Sequence, residues 1–178
     1  MGFKPRTPQE LADIDCLGRL VAAYSRAIDR RDFTALRALY HEDAFEEHGE
    51  MFSGSPDDYV VFVRQALSNY ETTAHYLVNS VFELDGDRAE GESYKINYHR
   101  TPAPDAREVI TGSRSLDLFE KRDGEWRFSG RSVVLDWART QDADAAAYAD
   151  FAAGSPHGSA GPEDRSYALL SLFRRAQG

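Results

Sequence analysis

Three residues of the 178-residue sequence have the side-chain types that a proton-transfer site needs, namely Asp29, His75 and Tyr24. A neutral imidazole accepts a proton near neutral pH, and a neighbouring carboxylate fixes its tautomer and stabilises the imidazolium that forms. A phenol can polarise a leaving hydroxyl or a carbonyl. If the fold brings the three together, they are sufficient for proton abstraction without a cofactor.

Each of these residues also has an ordinary structural interpretation. Asp29 lies among charged residues at a predicted helix end, where a solvated carboxylate is common. A histidine such as His75 at a strand start is more often structural than catalytic. Tyr24 lies on the apolar stripe of its helix, where core packing is the alternative role. The hypothesis therefore depends on elements that place Asp29 beside His75.

Three helices are predicted in the first part of the chain. Residues 7–10, Thr-Pro-Gln-Glu, are typical of a capping box, and apolar residues then recur at three- and four-residue steps as far as Asp29. Asp32 is predicted to cap a short second helix that residues 41–43 end, and Ser55 to begin a third. Between them, residues 44–49 are predicted to form a short strand and turn.

After Asn69 the hydrophobic period changes to that of β-strands. Two Asp-Gly turns, at Asp85-Gly86 and Asp123-Gly124, separate pairs of these strands. The four predicted strands cover residues 73–84, 88–101, 108–121 and 125–139. Helices followed by an antiparallel meander predict an α+β fold in which a curved, mainly antiparallel sheet wraps around the N-terminal helices as an open cone.

The predicted domain organisation is a cone domain over residues 1–139 and a C-terminal extension over 140–178. The extension contains a Gly/Ser/Pro-rich connector and a final segment with several large apolar residues. Such a segment is too apolar to remain in water, so it is expected to dock on the domain or on a neighbouring subunit. A lid over a pocket is the more specific alternative.

Composition excludes several classes of function. The formal net charge of -9 at pH 7 is unsuited to phosphate contacts, so no nucleic-acid partner is expected. No apolar run reaches membrane-spanning length and no signal peptide is evident, so a cytoplasmic protein without membrane association is expected. The single cysteine, Cys16, is predicted to be buried and inert. No metal-ligand spacing or phosphate-binding loop is present, and neither metal nor cofactor is expected.

The order and spacing of several short segments resemble the SnoaL-like branch of the nuclear transport factor 2 superfamily. The chain is similar in particular to the scytalone dehydratase, bile acid 7α-dehydratase and hexachlorocyclohexane dehydrochlorinase group. The segments that carry this resemblance are residues 20–39, His48-Gly49, Gly54, residues 75–91 and the run Gly124-Glu125-Trp126-Arg127-Phe128. The resemblance covers residues 8–139 and implies an open cone that encloses an apolar pocket.

The resemblance also implies roles for individual residues. Asp29 and His75 match the family's Asp–His pair, and Tyr24 matches a pocket tyrosine of the bile acid dehydratases. His99 is close to the second histidine of scytalone dehydratase. His48 stands where those enzymes place a pocket tyrosine, and this departure bears on the substrate more than on the reaction class.

Further substrate-binding candidates lie on the strands. Asn97 and His99 share one face of their strand and Tyr98 the other, and the sequence does not determine which face lines the cone. Arg131 is a lone charge among apolar strand residues. It either holds an anionic phenolate or carboxylate in the pocket or pairs at a subunit interface.

Two classes of function remain open from the sequence. The first is a cofactor-independent lyase acting on a bulky aromatic or polycyclic small molecule by dehydration or carbon–carbon cleavage, such as deformylation of a lignin-derived diarylpropane. Ketosteroid-type isomerisation needs the same base and is the enzymatic alternative. The second class is non-catalytic, as in dioxygenase β subunits or binding modules. The lyase is expected to form a homo-oligomer, a dimer or trimer, through its outer sheet faces.

Overall fold

The computed structural model describes residues 4–173, so residues 1–3 and the end of the predicted extension, residues 174–178, lie outside it. Residues 4–173 contain five helices: α1 (Pro8–Asp29), α2 (Phe33–Ala38), α3 (Pro56–Leu67), α4 (Ala145–Ala152) and α5 (Arg165–Leu169). The predicted capping box begins α1. The Thr7 hydroxyl accepts from the Glu10 backbone N–H, and the Glu10 carboxylate accepts from that of Thr7.

Six strands form one curved sheet in the order β2-β1-β6-β5-β4-β3. The strands are β1 (Tyr40–Glu47), β2 (Ser53–Gly54), β3 (Thr72–Asp85), β4 (Arg88–Arg100), β5 (Arg107–Arg122) and β6 (Glu125–Asp142). All neighbouring pairs are antiparallel except β1 with β6, which are parallel. The predicted α+β architecture, with a mainly antiparallel curved sheet and N-terminal helices, is confirmed.

The first strand begins earlier than the sequence predicted. Residues 41–43 were expected to end a helix, whereas β1 already starts at Tyr40. Tyr40 and His41 are buried, while Glu42 and Asp43 are exposed. The charges that suggested a break are therefore the solvent-facing residues of a half-buried strand.

Strand register determines which residues face the interior of the cone. His75 lies opposite Asn97, and Thr73 lies opposite His99. Asn97 in turn lies opposite Thr111 on the next strand. Because opposite residues of an antiparallel pair share a face, these side chains are on one side of the sheet, and α1 packs against that side.

The core lies between α1 and the inner face of the sheet. Leu17, Val21 and Ile28 of α1 are almost completely buried. On the sheet, the ring of Phe128 is 5.0 Å from that of Phe119. This packing fixes the C-terminal end of α1 beside the first residues of β3.

Cys16 is exposed, so its predicted burial is wrong. The neighbouring Leu17 is fully buried. Consecutive helical residues are rotated by roughly 100° from each other, and Cys16 therefore lies on the solvent side of the apolar stripe.

The C-terminal segment docks on the end of α1. The Asp164 carboxylate lies 3.0 Å from Nε of Arg30, and the Gly161 backbone N–H donates to the Arg30 carbonyl. The guanidinium of Arg26 lies 5.1 Å from the centre of the Tyr167 ring. This segment therefore contacts the cone domain. A role as a lid or in an oligomer interface stays a prediction.

No helix within residues 4–173 is long and apolar enough to cross a membrane.

Candidate active site

The Asp29 carboxylate and the His75 imidazole form a direct pair. Asp29 Oδ1 lies 2.7 Å from His75 Nδ1, and Asp29 Oδ2 accepts a 2.9 Å hydrogen bond from the His75 backbone N–H. Both side chains keep about one seventh of their surface exposed, 14% for Asp29 and 15% for His75. With Nδ1 donating to Asp29, the Nε2 lone pair of His75 is the one left to accept a proton.

Two features of the fold produce this pair. α1 ends at Asp29, so the carboxylate leaves the helix at its last residue. β3 is the edge strand of the sheet, so the backbone N–H of His75 is not consumed by a second neighbouring strand and is available to Asp29. One carboxylate thereby holds both the backbone and the ring of the same histidine.

A further hydrogen-bond chain fixes the carboxylate. The Thr73 hydroxyl donates to Asp29 Oδ1 at 3.0 Å, and Arg31 Nη1 donates to that hydroxyl at 2.8 Å. Arg31 also donates to the carbonyl of Ile28 and has a left-handed backbone conformation, with φ of 52°. Such a conformation costs free energy in a non-glycine residue, and here it turns the chain so that the guanidinium reaches back under α1.

His99 lies beside His75 at the same end of the cone. The two rings meet edge to face with centroids 5.2 Å apart, and the ring of Tyr70 is 4.8 Å from that of His99. Burial, followed by the nearby His75, lowers the pKa of His99 to about 4. His99 is therefore a neutral imidazole at neutral pH, able to donate or accept a hydrogen bond but not to act as a cation.

The adjacent Asn97 presents an unused acceptor. Its Nδ2 donates to the hydroxyls of Thr111 and Ser113 at 3.2 and 2.8 Å. Its Oδ1 is buried and has no donor among residues 4–173. A buried carbonyl without a donor is costly, and a hydroxyl of a bound molecule would satisfy it.

A second polar cluster lies deeper in the cone. The hydroxyls of Tyr24 and Tyr59 are hydrogen-bonded to each other, and burial raises the pKa of both phenols above their usual range. The fully buried Glu46 accepts from Tyr40 at 2.7 Å and lies 2.8 Å from Nε2 of His48. The phenols of this cluster are therefore protonated at neutral pH.

Arg131 lies next to this cluster and is fully buried. Its guanidinium makes two hydrogen bonds to Asp117, from Nε at 2.6 Å and from Nη2 at 3.0 Å. It also lies 3.9 Å from the centre of the Tyr24 ring. The partner of Arg131 is thus within the chain, and the predicted alternative of pairing at a subunit interface is wrong because the guanidinium does not reach the surface.

Comparison with known proteins places this arrangement in a family. The sequence matches the SnoaL-like domain family over residues 9–132, which is more than half of the chain. The chain belongs to the SnoaL-like family. The predicted resemblance is confirmed, and the match coincides with the three N-terminal helices and most of the sheet. No curated protein matches this SnoaL-like chain in sequence.

Solved structures share the fold at low sequence identity. A candidate scytalone dehydratase from Novosphingobium aromaticivorans superposes with a TM-score of 0.67 at 21% identity, over 89% of this chain and 97% of that one. The hexachlorocyclohexane dehydrochlorinase LinA-type3 from Novosphingobium barchaimii gives 0.67 at 16% identity, over 74% and 92%. A candidate aromatic ring hydroxylase from N. aromaticivorans gives 0.66 at 21%, over 78% and 96%. These similarities support the open-cone fold of the SnoaL-like chain.

The structure brings together only some of the predicted site residues. Asp29, His75, His99 and Asn97 meet at one end of the inner face of the SnoaL-like cone. Tyr24, His48 and Arg131 lie on the same inner side but belong to the deeper cluster, so Tyr24 does not join the Asp–His pair in the way the sequence hypothesis supposed.

Tyr98 lies on the opposite face of the sheet. Its hydroxyl donates to Glu108 at 2.8 Å, away from Asn97 and His99. Its prediction as a substrate-binding residue is wrong for a pocket inside the cone, because adjacent strand residues point to opposite faces. The ambiguity of face left by the sequence is thus resolved in favour of Asn97 and His99.

Sequence reasoning missed four residues that the structure places in or next to the site. Their roles could have been inferred from the sequence only by knowing which face of a strand is inside the cone or which helix lies nearby. They are Thr73, which holds Asp29; Tyr59, which bonds Tyr24; Asp117, which pairs with Arg131; and Lys95. Lys95 lies on the same face of β4 as Asn97 and His99. Knowing that this face lines the cone would therefore have identified Lys95 as a site residue.

No group of three or more His, Cys, Asp or Glu side chains suited to a metal ion is found among the described residues, 4–173. A cavity of about 810 Å³ does exist on the far side of α1, where Cys16, Arg26, Trp126 and Phe173 line it. It does not include the Asp–His pair, so cavity size alone would point away from the residues that can transfer a proton.

The depressed pKa of His99 predicts a pH dependence of stability. Between about pH 6.5, the ordinary histidine value, and pH 4, the unfolded chain binds more protons than the folded one. The free energy of unfolding should therefore fall as pH is lowered through this window, and His99→Gln should lose this contribution. Urea unfolding at pH 7, 6, 5 and 4.5 measures it, with the exposed His157→Gln as control. Parallel profiles for wild type and His99→Gln would contradict the burial of this imidazole.

Proposed function

We propose that this protein is a cofactor-independent lyase that removes a proton from a bulky aromatic or polycyclic small molecule and expels a leaving group. The observation that carries the proposal is the double attachment of His75 to Asp29, through ring and backbone, which leaves Nε2 to act as the base. The names of the similar structures, a dehydrochlorinase and a candidate dehydratase, describe eliminations and support the same reaction class.

The proposed step is an elimination. His75 Nε2 accepts a proton from a carbon of the substrate, and Asp29 stabilises the resulting imidazolium. The electron pair of the broken C–H bond forms a double bond as the leaving group departs from the adjacent carbon. Departure as water requires protonation of a hydroxyl, and the imidazolium of His75 supplies that proton, which restores the base. The neutral His99, 5.2 Å from His75 between ring centroids, donates a hydrogen bond to the leaving hydroxyl.

Carbon–carbon cleavage uses the same base differently. His75 then takes the proton of a substrate hydroxyl, the O–H electron pair forms a carbonyl, and the bond to the neighbouring carbon breaks to release an aldehyde such as formaldehyde. The carbanion that remains is protonated by the imidazolium, which restores the base. A lignin-derived diarylpropane diol is one substrate of this kind.

Product mass distinguishes these reactions. Purified protein is incubated with aromatic diols, phenylpropanoid dimers, hydroxysteroids and a ketosteroid, and the mixtures are separated by chromatography and examined by mass spectrometry. Dehydration gives a product lighter by one water, and deformylation gives one lighter by formaldehyde. A product of unchanged mass from a ketosteroid would instead support an isomerase, which needs the same base but returns the proton.

A non-catalytic role is the competing class. A dioxygenase β subunit or docking module has no use for a partly buried Asp–His pair whose second ring nitrogen can accept a proton, and this pair favours the enzyme. If none of the compounds reacts or raises the melting temperature, and the protein copurifies with a larger partner, the lyase proposal is refuted.

The expected homo-oligomer also stays a prediction. Large apolar residues are exposed on the outer sheet face, among them Val81, Leu116 and Leu118, which line a groove of about 590 Å³. Pairing of these faces between copies would bury them. Light scattering during size-exclusion chromatography should give a mass two or three times that of the 20.0 kDa chain, and a monomer would contradict the expectation.

A further inference from the structure

Lys95 is a buried lysine inside the cone. It lies on β4 opposite Ser113, two residues before Asn97 and on the same face, and only 6% of its surface is exposed. Its ammonium is 4.9 Å from the centre of the Tyr24 ring. No described residue between 4 and 173 accepts a hydrogen bond from it. A buried lysine ordinarily has a carboxylate partner, so this one lacks the usual compensation.

A second cationic group near Lys95 has a spare donor. The guanidinium of Arg131 uses Nε and Nη2 for Asp117, whereas its buried Nη1 has no acceptor among the described residues. Arg131 lies 3.9 Å from the centre of the same Tyr24 ring that Lys95 faces. Lys95 and Arg131 therefore both lie beside the Tyr24 ring.

Two carboxylates, those of Asp117 and Glu46, act on Lys95 electrostatically. Asp117 is occupied by Arg131 and by the hydroxyl of Ser115. Glu46 is occupied by Tyr40 and His48. Both carboxylates are thus committed to other donors, and neither forms a hydrogen bond with Lys95.

We propose that Lys95 Nζ and Arg131 Nη1 together bind an oxyanion of the substrate, a carboxylate or a phenolate. The inference rests on the proposed lyase function and extends it by naming an acidic group as part of the substrate. Lys95 lies two residues, or about 7 Å, along β4 from Asn97, which is opposite His75, so the oxyanion and the proton that His75 removes belong to neighbouring parts of one substrate.

The pKa of Lys95 agrees with this role. Burial, followed by the neighbouring Arg131, lowers it to about 7, while Asp117 and Glu46 act in the opposite direction. An oxyanion bound there favours the protonated form. The affinity for a carboxylate, which stays ionised across this range, should therefore be highest below pH 7 and fall by up to about tenfold per pH unit above it, as Lys95 loses its proton.

Isothermal titration calorimetry with three probes tests the proposal. Naphthalene-2-carboxylate and 4-nitrophenolate supply the two oxyanions, and naphthalene-2-carboxamide is the neutral control of matched shape. Lys95→Met should weaken at least one anionic probe by about 10–100-fold and leave the carboxamide unchanged, since a charge-assisted hydrogen bond is lost. Arg19→Met removes an exposed positive charge outside the cone and should bind all probes as the wild type does.

The outcomes separate this proposal from the lyase function. Equal anion affinity for wild type and Lys95→Met, tighter binding of the carboxamide than of both anions, or no binding of either anion by the wild type would overturn the oxyanion site. Loss of the pH dependence of binding in Lys95→Met would support it. Because His75→Ala should still bind the anion, this test does not depend on turnover and remains valid if the lyase reaction fails. Which anionic probe responds identifies the acidic group.

Discussion

His75→Ala should lower kcat/KM for the substrate found by the mass screen by about 10²–10⁴-fold, while the protein remains folded. The substitution removes the group that accepts the proton and leaves the backbone N–H that Asp29 also binds. Asp29→Asn should have a similar effect on turnover, since an amide cannot stabilise the imidazolium and its oxygen cannot accept all three hydrogen bonds made by Asp29.

A matched histidine provides the control. His41 is also buried and its Nε2 lies 2.9 Å from the Glu120 carbonyl, outside the cone interior. His41→Ala should keep wild-type kcat/KM per folded molecule. Steady-state kinetics together with urea unfolding separates loss of catalysis from loss of structure. Wild-type turnover by folded His75→Ala would refute the proposed base.

The second large effect is expected on stability. Arg131→Met should lower the free energy of unfolding by about 3–5 kcal/mol, because it leaves the carboxylate of Asp117 buried without its cation. Replacing both partners, as in the double variant Arg131→Met/Asp117→Leu, should cost less than Arg131→Met alone, since no unpaired charge remains. Urea unfolding monitored by tryptophan fluorescence measures all three proteins.

Arg114 is the control for this prediction. It also lies on a central strand and pairs with Glu92 and Asp136, but on the outer face, where about a third of its side chain is exposed. Arg114→Met should cost no more than about 1 kcal/mol, as is usual for exposed ion pairs. A cost for Arg131→Met as small as that for Arg114→Met would show that the interior is more hydrated than the packing around Tyr24 implies.

The order of elements was readable from the sequence for local reasons. The capping box before α1 and the two Asp-Gly turns involve contacts within a few residues, and their physical chemistry is complete in a short window of sequence. The four long strands accordingly begin and end within three residues of their predicted bounds. The early start of β1 was missed because the exposed Glu42 and Asp43 resemble loop residues when the burial of their neighbours is not known.

The Asp29–His75 pair was predicted through family resemblance and the expected order of elements rather than from local pattern. The two residues are separated by 46 positions, and nothing in their immediate neighbourhoods links them. The structure supplies the reason for their contact: in space, the C-terminal end of α1 lies beside the first residues of the edge strand β3. The same proximity of α1 and β3 brings Thr73 to the Asp29 carboxylate and Arg31 to Thr73.

By itself, the sequence determined the three N-terminal helices, the four long strands and the residue types available for proton transfer, because these depend on periodicity, turn chemistry and composition. Only the tertiary structure decided which face of β4 lines the cone. That single choice removed Tyr98 from the site, kept Asn97 and His99, and added Lys95. The physical reason is that alternate residues of a strand point to opposite sides, and the side that becomes the interior is set by where α1 packs.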